Sequence, residues 1–168
     1  MVKNTIAIDA MGGDNAPKSV IAGLAISSLR NPGVEYIVYG DENKLLPLLK
    51  KRDNLKKVVK VVHVDDWIRA DEKASKSLRR AKTTSMGQAI AAVTNREAGA
   101  IVSAGNSGAL LAMSIFGLRK LSGISRPALA AVMPTVSGEI VALDLGANID
   151  CSSQNLIDFS VMGIVFAR

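Results

Sequence analysis

Small and polar residues of the types that bind an anion fill segment 103–108, which reads Ser-Ala-Gly-Asn-Ser-Gly. The apolar run at 100–102 predicts a buried strand before it, and the apolar residues that follow predict a helix beginning near Gly108. The first N–H groups of a helix lack partners within it, so such a turn suits phosphate or a carbonyl oxygen that gains negative charge. The alternative is that Asn106 or Ser107 only caps the helix.

Two further segments, 9–15 and 144–150, place Gly beside Asp or Asn at the end of a predicted strand. In an open parallel sheet the carboxyl ends of the strands share one edge, and ligands bind in the crevice along it. We therefore expect the three segments to converge on a single site.

Each of these segments contributes candidate site residues. Gly105, Asn106, Ser107 and Gly108 are predicted to contact phosphate or an oxyanion through backbone N–H groups and side chains. Gly12, Gly13 and Asp14 would form a second wall, with a strained turn and helix cap as the alternative. Asp144 and Asn148 either bind substrate or brace their own loop, and Asp9 is expected to be structural.

The segments must be positioned by an alternation of strands and helices. Strands are predicted at 6–8, 34–39 and 58–64, and the third is β-branched throughout, which favours a sheet covered on both faces. Helices are predicted from Pro17 to Asn31, at 42–51 and at 86–97, the last capped by Ser85. The 109–118 helix is apolar on nearly every side, which predicts burial all round. Strands at 128–133 and 139–143 precede a final helix from about Ser152.

This order predicts an α/β fold, a single domain over 1–168 with a mostly parallel sheet. The 168 residues are 48% hydrophobic, enough for one core. The last helix shows no terminator before Arg168, which indicates an N-terminal portion of a longer chain. No apolar run is long enough to span a bilayer, so we expect a cytosolic protein.

Charge and composition narrow the partners. The net charge of +6 indicates an acidic partner, and the 4% aromatic content makes nucleic acid an unfavourable candidate. One cysteine and one histidine provide neither a disulfide framework nor a zinc-ligand cluster, so no metal and no cofactor is expected. Basic residues crowd the region 66–85: Arg69, Lys73, Lys76, Arg79, Arg80 and Lys82.

Four segments together, 9–17, 102–109, 125–128 and 143–150, resemble the PlsX family of phosphate acyltransferases of bacterial phospholipid synthesis. The resemblance runs through the whole chain but covers about the first half of a family member. It implies transfer of a fatty acyl group from acyl-acyl carrier protein to inorganic phosphate, which forms acyl phosphate. It also implies a homodimer, peripheral membrane association through the absent half, and a three-layer, Rossmann-like α/β/α sandwich related to isopropylmalate dehydrogenase and phosphate acetyltransferase.

On this resemblance, the basic residues from Lys73 to Lys82 are a candidate dock for the acidic carrier protein. Arg79 and Lys82 lie near enough to Ser85 in sequence to reach the cleft. The alternative is a solvated basic face. Phosphate is already an anion, so direct attack on the thioester requires mainly positioning and stabilisation of the oxyanion.

Other mechanisms and functions compete with this reading. Cys151 has no histidine near it in sequence, which disfavours an acyl-enzyme, and His63 is expected to be structural or peripheral rather than a general base. A dehydrogenase-like dinucleotide enzyme is the first rival, although no G-x-G-x-x-G turn follows the first strand. A non-catalytic binding fragment is the second.

Overall fold

The structure is a computed structural model that describes residues 4–146, 148 and 150–167. Ala147 and Ile149 of the predicted 144–150 segment lie outside the described residues. The chain divides into two compact units, Met1–Leu118 and Arg119–Arg168. None of the described helices is long and apolar enough to cross a membrane.

A parallel sheet with helices on both faces forms the first unit. Its elements are β1 (Thr5–Asp9), α1 (Lys18–Arg30), β2 (Glu35–Gly40), α2 (Glu42–Leu49), β3 (Val59–His63), α3 (Ala74–Arg79), α4 (Ser85–Thr94), β4 (Ala100–Ser103) and α5 (Ser107–Leu118). The four strands pair in the order β3-β2-β1-β4. Because every pair is parallel, the loops after the strands share one edge.

Two apolar layers hold the helices against this sheet. On one face Ile8 and Val38 pack with Leu24 of α1 and Leu45 of α2. On the opposite face Ala7 belongs to the layer formed with α4. Alternate residues of a strand point to opposite faces, which is why neighbours in β1 serve different layers. The predicted three-layer α/β/α arrangement with a mostly parallel sheet is thereby confirmed.

The two outer strands are more exposed than predicted. We expected a sheet covered on both faces at 58–64 and a buried strand at 100–102, but β3 and β4 consist of exposed and half-buried residues. They lie at the two ends of the strand order, where a β-branched run does not guarantee cover on both faces. Val102, for example, is 53% exposed.

Two helix predictions also need correction. Thr84, not Ser85, caps α4, because the Thr84 side chain accepts from the Gly87 N–H. Helix α5 is not buried all round: Ala109 and Met113 are buried, whereas Phe116 is 71% exposed. Uniform apolarity left the buried face of α5 undefined, and contact with α3 and α4 selects it.

The second unit is an antiparallel hairpin with one helix. Its elements are β5 (Ala130–Thr135), β6 (Gly138–Leu143) and α6 (Ser153–Phe166). Ser152 and Asn155 cap α6 reciprocally, each side chain accepting from the other's backbone N–H. Both predicted strands and the final helix are confirmed.

Candidate functional site

The turns after β1 and β4 meet at the carboxyl edge of the first unit's sheet. A Cβ added to Gly12 would lie 2.9 Å from the Gly105 Cα and 2.6 Å from the Asp9 Oδ2. Gly13 has a φ of +102°, which favours glycine, and a Cβ there would lie 3.0 Å from the Ala104 carbonyl oxygen. Two of the three predicted segments are therefore in backbone contact, with no room between them for a side chain.

The side chain of Asp9 connects these two turns. It is 2% exposed. The Ser85 hydroxyl donates to its Oδ1 at 2.6 Å, and the Ser103 hydroxyl donates to its Oδ2 at 2.7 Å. Ser103 Oγ in turn accepts from the Gly105 N–H at 3.1 Å. One buried carboxyl group thus ties the end of β1 to the starts of α4 and of the 103–108 turn, as its expected structural role requires.

Asn106 uses its whole amide within the protein. Its Oδ1 accepts from the Ala109 N–H at 2.9 Å, and its Nδ2 donates to the carbonyl oxygens of Ala70 and Glu72, each at 2.9 Å. The first bond caps α5, and the other two hold the segment before α3 against the turn. Both amide hydrogens are occupied, so these contacts support the structural role of the Asn106 side chain over direct contact with an anion.

The start of α5 presents donors that Asn106 does not use. Helix geometry leaves the N–H groups of Ser107 and Gly108 without a partner inside the helix, and in the described part of the chain no other group accepts from them. Ser107 and Gly108 are exposed. The twelve residues of α5 add the positive end of a helix dipole at this point.

A cleft of about 620 Å³ lies beside the turn after β1. Gly13 and Asp14 line one side, residues 65–70 line the other, and Arg80 completes the lining. Asp14 is exposed at the cleft, as a wall residue must be, whereas the predicted substrate contact Ser85 is fully buried against Asp9.

Arg80 is held by two acidic residues. Its Nε donates to Asp66 Oδ2 at 3.0 Å while its Nη2 contacts the other oxygen of that carboxylate, and its Nη1 bridges both oxygens of Glu72 at 2.9 and 3.0 Å. The hydrogen bond to Asp66, followed by the charges of both acids, raises the pKa of Arg80 further above its ordinary value. Sequence reasoning placed Arg80 among the docking cations and missed this cluster, although the acidic residues Asp66 and Glu72, just before the run that begins at Lys73, were its signal.

The other predicted docking cations lie on the surface. Lys73, Lys76, Arg79 and Lys82 are exposed around α3 and form a basic face. Their exposure is compatible with both a docking surface and a solvated face.

His63 is engaged on both ring nitrogens. Its Nδ1 accepts from the Glu42 N–H at 3.2 Å, at the start of α2, and its Nε2 lies 2.9 Å from Asp65 Oδ1. With Nδ1 as acceptor, Nε2 is the donor to Asp65. This arrangement supports the structural role expected for His63.

In the second unit, Asp144 and Asn148 are hydrogen-bonded to each other. Asn148 donates from Nδ2 to Asp144 Oδ1 at 2.8 Å and to the Pro127 carbonyl oxygen at 3.2 Å. The Cys151 thiol donates to Asp144 Oδ2 at 3.4 Å, and desolvation followed by this hydrogen bond raises the pKa of Cys151. A raised pKa reduces the thiolate fraction, which disfavours Cys151 as a nucleophile.

The first unit is thus an α/β sandwich whose glycine-bearing turns gather at the carboxyl edge of a parallel sheet. The family model described as "Fatty acid synthesis protein" matches residues 4–168, and the chain belongs to that family. It is similar to the phosphate acyltransferase of Paramagnetospirillum magneticum, with 48% identity over 164 residues, covering 98% of this chain and 47% of the relative. The phosphate acyltransferase of Rhodospirillum centenum is 50% identical over 163 residues, covering 97% of this chain and 46% of that protein. The chain spans about half the length of the curated relatives it matches.

Proposed function

We propose that this chain carries the phosphate-binding half of an acyltransferase that moves a fatty acyl group from acyl-acyl carrier protein to inorganic phosphate. The product is an acyl phosphate for phospholipid synthesis. Family membership and relatives named phosphate acyltransferase support the class of reaction. The observation that carries the proposal is the pair of N–H groups at Ser107 and Gly108, which have no acceptor among the described residues. They begin a twelve-residue helix two residues after Gly105, which lies against Gly12.

The chain's own groups suit direct attack. A phosphate oxygen forms a bond to the thioester carbonyl carbon, the C–S bond breaks, and the carrier thiolate leaves and takes a proton from solvent. Phosphate requires no strong base, so the protein's task is to hold it near the carbonyl and to stabilise the oxyanion. The Ser107 and Gly108 N–H groups, with the Ser107 hydroxyl, are the proposed contacts, and Gly12, Gly13 and Asp14 form the facing wall.

The remaining expectations extend the same proposal. The exposed cations Lys73, Lys76, Arg79 and Lys82 would dock the acidic carrier protein. The protein would act as a homodimer that touches the membrane peripherally. In the second unit, Asp144 and Asn148 would shape a loop rather than contact substrate, in keeping with their mutual hydrogen bonds.

The proposal is tested by removing one N–H without removing the helix. Ser107 is the first residue of α5, where proline is tolerated, so Ser107→Pro should fold while losing that donor. Ser153→Pro at the first residue of α6 is the matched control, and Ser107→Ala removes the hydroxyl alone. We expect phosphate to raise the melting temperature of the wild type and the control, and Ser107→Pro to weaken phosphate binding about tenfold.

Acyl phosphate formation is then measured for this chain beside the phosphate acyltransferase of Paramagnetospirillum magneticum. Product formed by this chain would establish activity. Phosphate binding without product would establish a binding fragment, and a melting shift with NAD but none with phosphate would overturn the proposal in favour of a dinucleotide enzyme.

A further inference from the structure

The segment 65–72, of which residues 65–70 line the cleft, is held mainly by side chains from elsewhere in the first unit. This segment contains no helix or strand of its own, apart from a single bridge between Asp66 and Thr84. Arg80 binds this segment through ion pairs with the carboxylates of Asp66 and Glu72, and it donates to the Trp67 carbonyl oxygen at 3.3 Å. The Glu72 side chain is only 6% exposed.

The same segment reaches the candidate anion-binding turn through the main chain of Glu72. Asn106 donates to the carbonyl oxygens of Glu72 and Ala70, and its Oδ1 caps α5 at Ala109. The route from Arg80 to the start of α5 therefore consists of three consecutive contacts: guanidinium to Glu72 carboxylate, Glu72 carbonyl to Asn106 amide, and Asn106 carbonyl to helix N–H.

We infer that Arg80 is a positioning residue for the phosphate site: it fixes Glu72, which holds Asn106, and Asn106 in turn fixes the start of α5 with its first N–H groups. The kinetic consequences of this inference rest on the proposed function. Its structural consequences rest on the contacts alone. It assigns Arg80 to the interior of the site instead of the carrier-protein dock, where its charge is already neutralised by two acids.

The chemistry of the contacts requires arginine. A planar guanidinium bridges two carboxylates at once, with Asp66 on one edge and Glu72 at the other nitrogen, and a lysine ammonium cannot reproduce that fork. A partly buried Glu72 without Arg80 would also be an unpaired charge, so loss of the arginine should release the segment.

The test compares Arg80→Gln and Arg80→Lys with Arg30→Gln, which removes the same charge from an exposed residue in the last turn of α1. The first readout is hydrogen exchange in the 168-residue chain. Both Arg80 variants should exchange faster at Glu72, Ala109 and Leu110, whose N–H groups are hydrogen-bonded, with α1 and α2 unchanged, while Arg30→Gln exchanges as the wild type does.

The second readout is kinetic. Both Arg80 variants should raise the KM for phosphate about tenfold and leave the KM for acyl-acyl carrier protein within about twofold, since misplacement affects the anion site alone. A raised carrier-protein KM with an unchanged phosphate KM would overturn the inference and return Arg80 to the dock. A wild-type KM for phosphate in Arg80→Lys would show that the two-carboxylate contact of the guanidinium is not required.

Failure of the inference is separable from failure of the proposed function. If the wild type neither binds phosphate nor forms acyl phosphate, the function fails while the exchange readout still decides the positioning role. Wild-type exchange rates at Ala109 and Leu110 in both Arg80 variants would overturn that role by themselves, whatever the activity.

Discussion

Each unit of the molecule contains a buried aspartate that accepts hydrogen bonds from serine, but the two differ in reach. Asp9 accepts from Ser85 and Ser103, which lie 76 and 94 residues away, and so joins β1, α4 and β4. Asp158 accepts from Ser125, 33 residues away, and from Gln154 on its own helix. The Asp9 carboxyl group, whose partners are distant in sequence, connects three elements at the edge of the sheet where a site can form. The Asp158 carboxyl group, whose partners are nearer in sequence, only attaches a helix to a neighbouring segment.

The surroundings of the two aspartates differ in the same sense. Asp9 is the last residue of β1, in a sheet that a layer of buried apolar residues covers on each face. The unit containing Asp158 leaves many apolar side chains exposed, including Val132 and Ile140 on the hairpin and Ile164 on α6. The comparison predicts that disruption at Asp9 costs more and spreads further than disruption at Asp158.

The largest expected effect follows from removal of the Asp9 carboxyl group. Asp9→Ala leaves the buried Ser85 hydroxyl, the half-buried Ser103 hydroxyl and the Met11 N–H without their acceptor, and should lower the free energy of unfolding by about 4 kcal/mol. Urea unfolding measures the loss, and Asp14→Ala, an exposed neighbour in the same turn, is the control. A loss at Asp9 no greater than at Asp14 would remove the basis of the comparison.

An intermediate effect is expected at Asn106. Asn106→Ala removes the cap of α5 and two hydrogen bonds to the 70–72 segment, and should cost about 2 kcal/mol. Asn106→Asp keeps the acceptor for the Ala109 N–H but cannot donate to Ala70 and Glu72, so it separates capping from segment attachment. If Asn106→Asp matches the wild type in urea, the two carbonyl contacts contribute no stability.

The smallest expected effect is the pH dependence set by Asp158. Hydrogen bonds from Gln154, and then from Ser125, hold the pKa of Asp158 below its ordinary value. A lowered folded-state pKa gives stability that is present above the unfolded pKa, about 3.9, and is lost as the pH falls through the folded value. Asp158→Asn should flatten the acid limb of an unfolding curve, and Asp150→Asn, an exposed site, should leave it unchanged. Equal acid limbs in the wild type and Asp158→Asn would show that Asp158 is not a source of that limb.

Much of the first unit's fold was predictable because the spacing of apolar residues indicates which segments are strands and which are helices. The strands containing Ile8 and Val38 and the helix with Leu24 all follow from period-two and period-3.6 patterns. Helix α3 could not be found this way, since its six residues carry one large apolar side chain, Leu78. The exposure of β3 and β4 depends on strand order, and no local pattern reports that order.

The candidate site was predictable in its turns but not in its side-chain partners. The glycines at 12, 13, 105 and 108 marked the turns, because few other roles suit such clusters after a strand. Distant pairs such as Asp9 with Ser103, or Arg80 with Glu72, arise only when the chain is folded. The turns at Gly12 and Gly105 are in contact, but the shared pocket proposed for all three segments stays a prediction.

Because Gly12 and Gly105 approach so closely, the two turns are packed against each other through their backbones. Since backbone rests on backbone, there is no side chain between them whose rotation could absorb a displacement. We therefore expect a displacement of one turn, by a bound anion or by a methyl group added at Gly12, to displace the other turn as well.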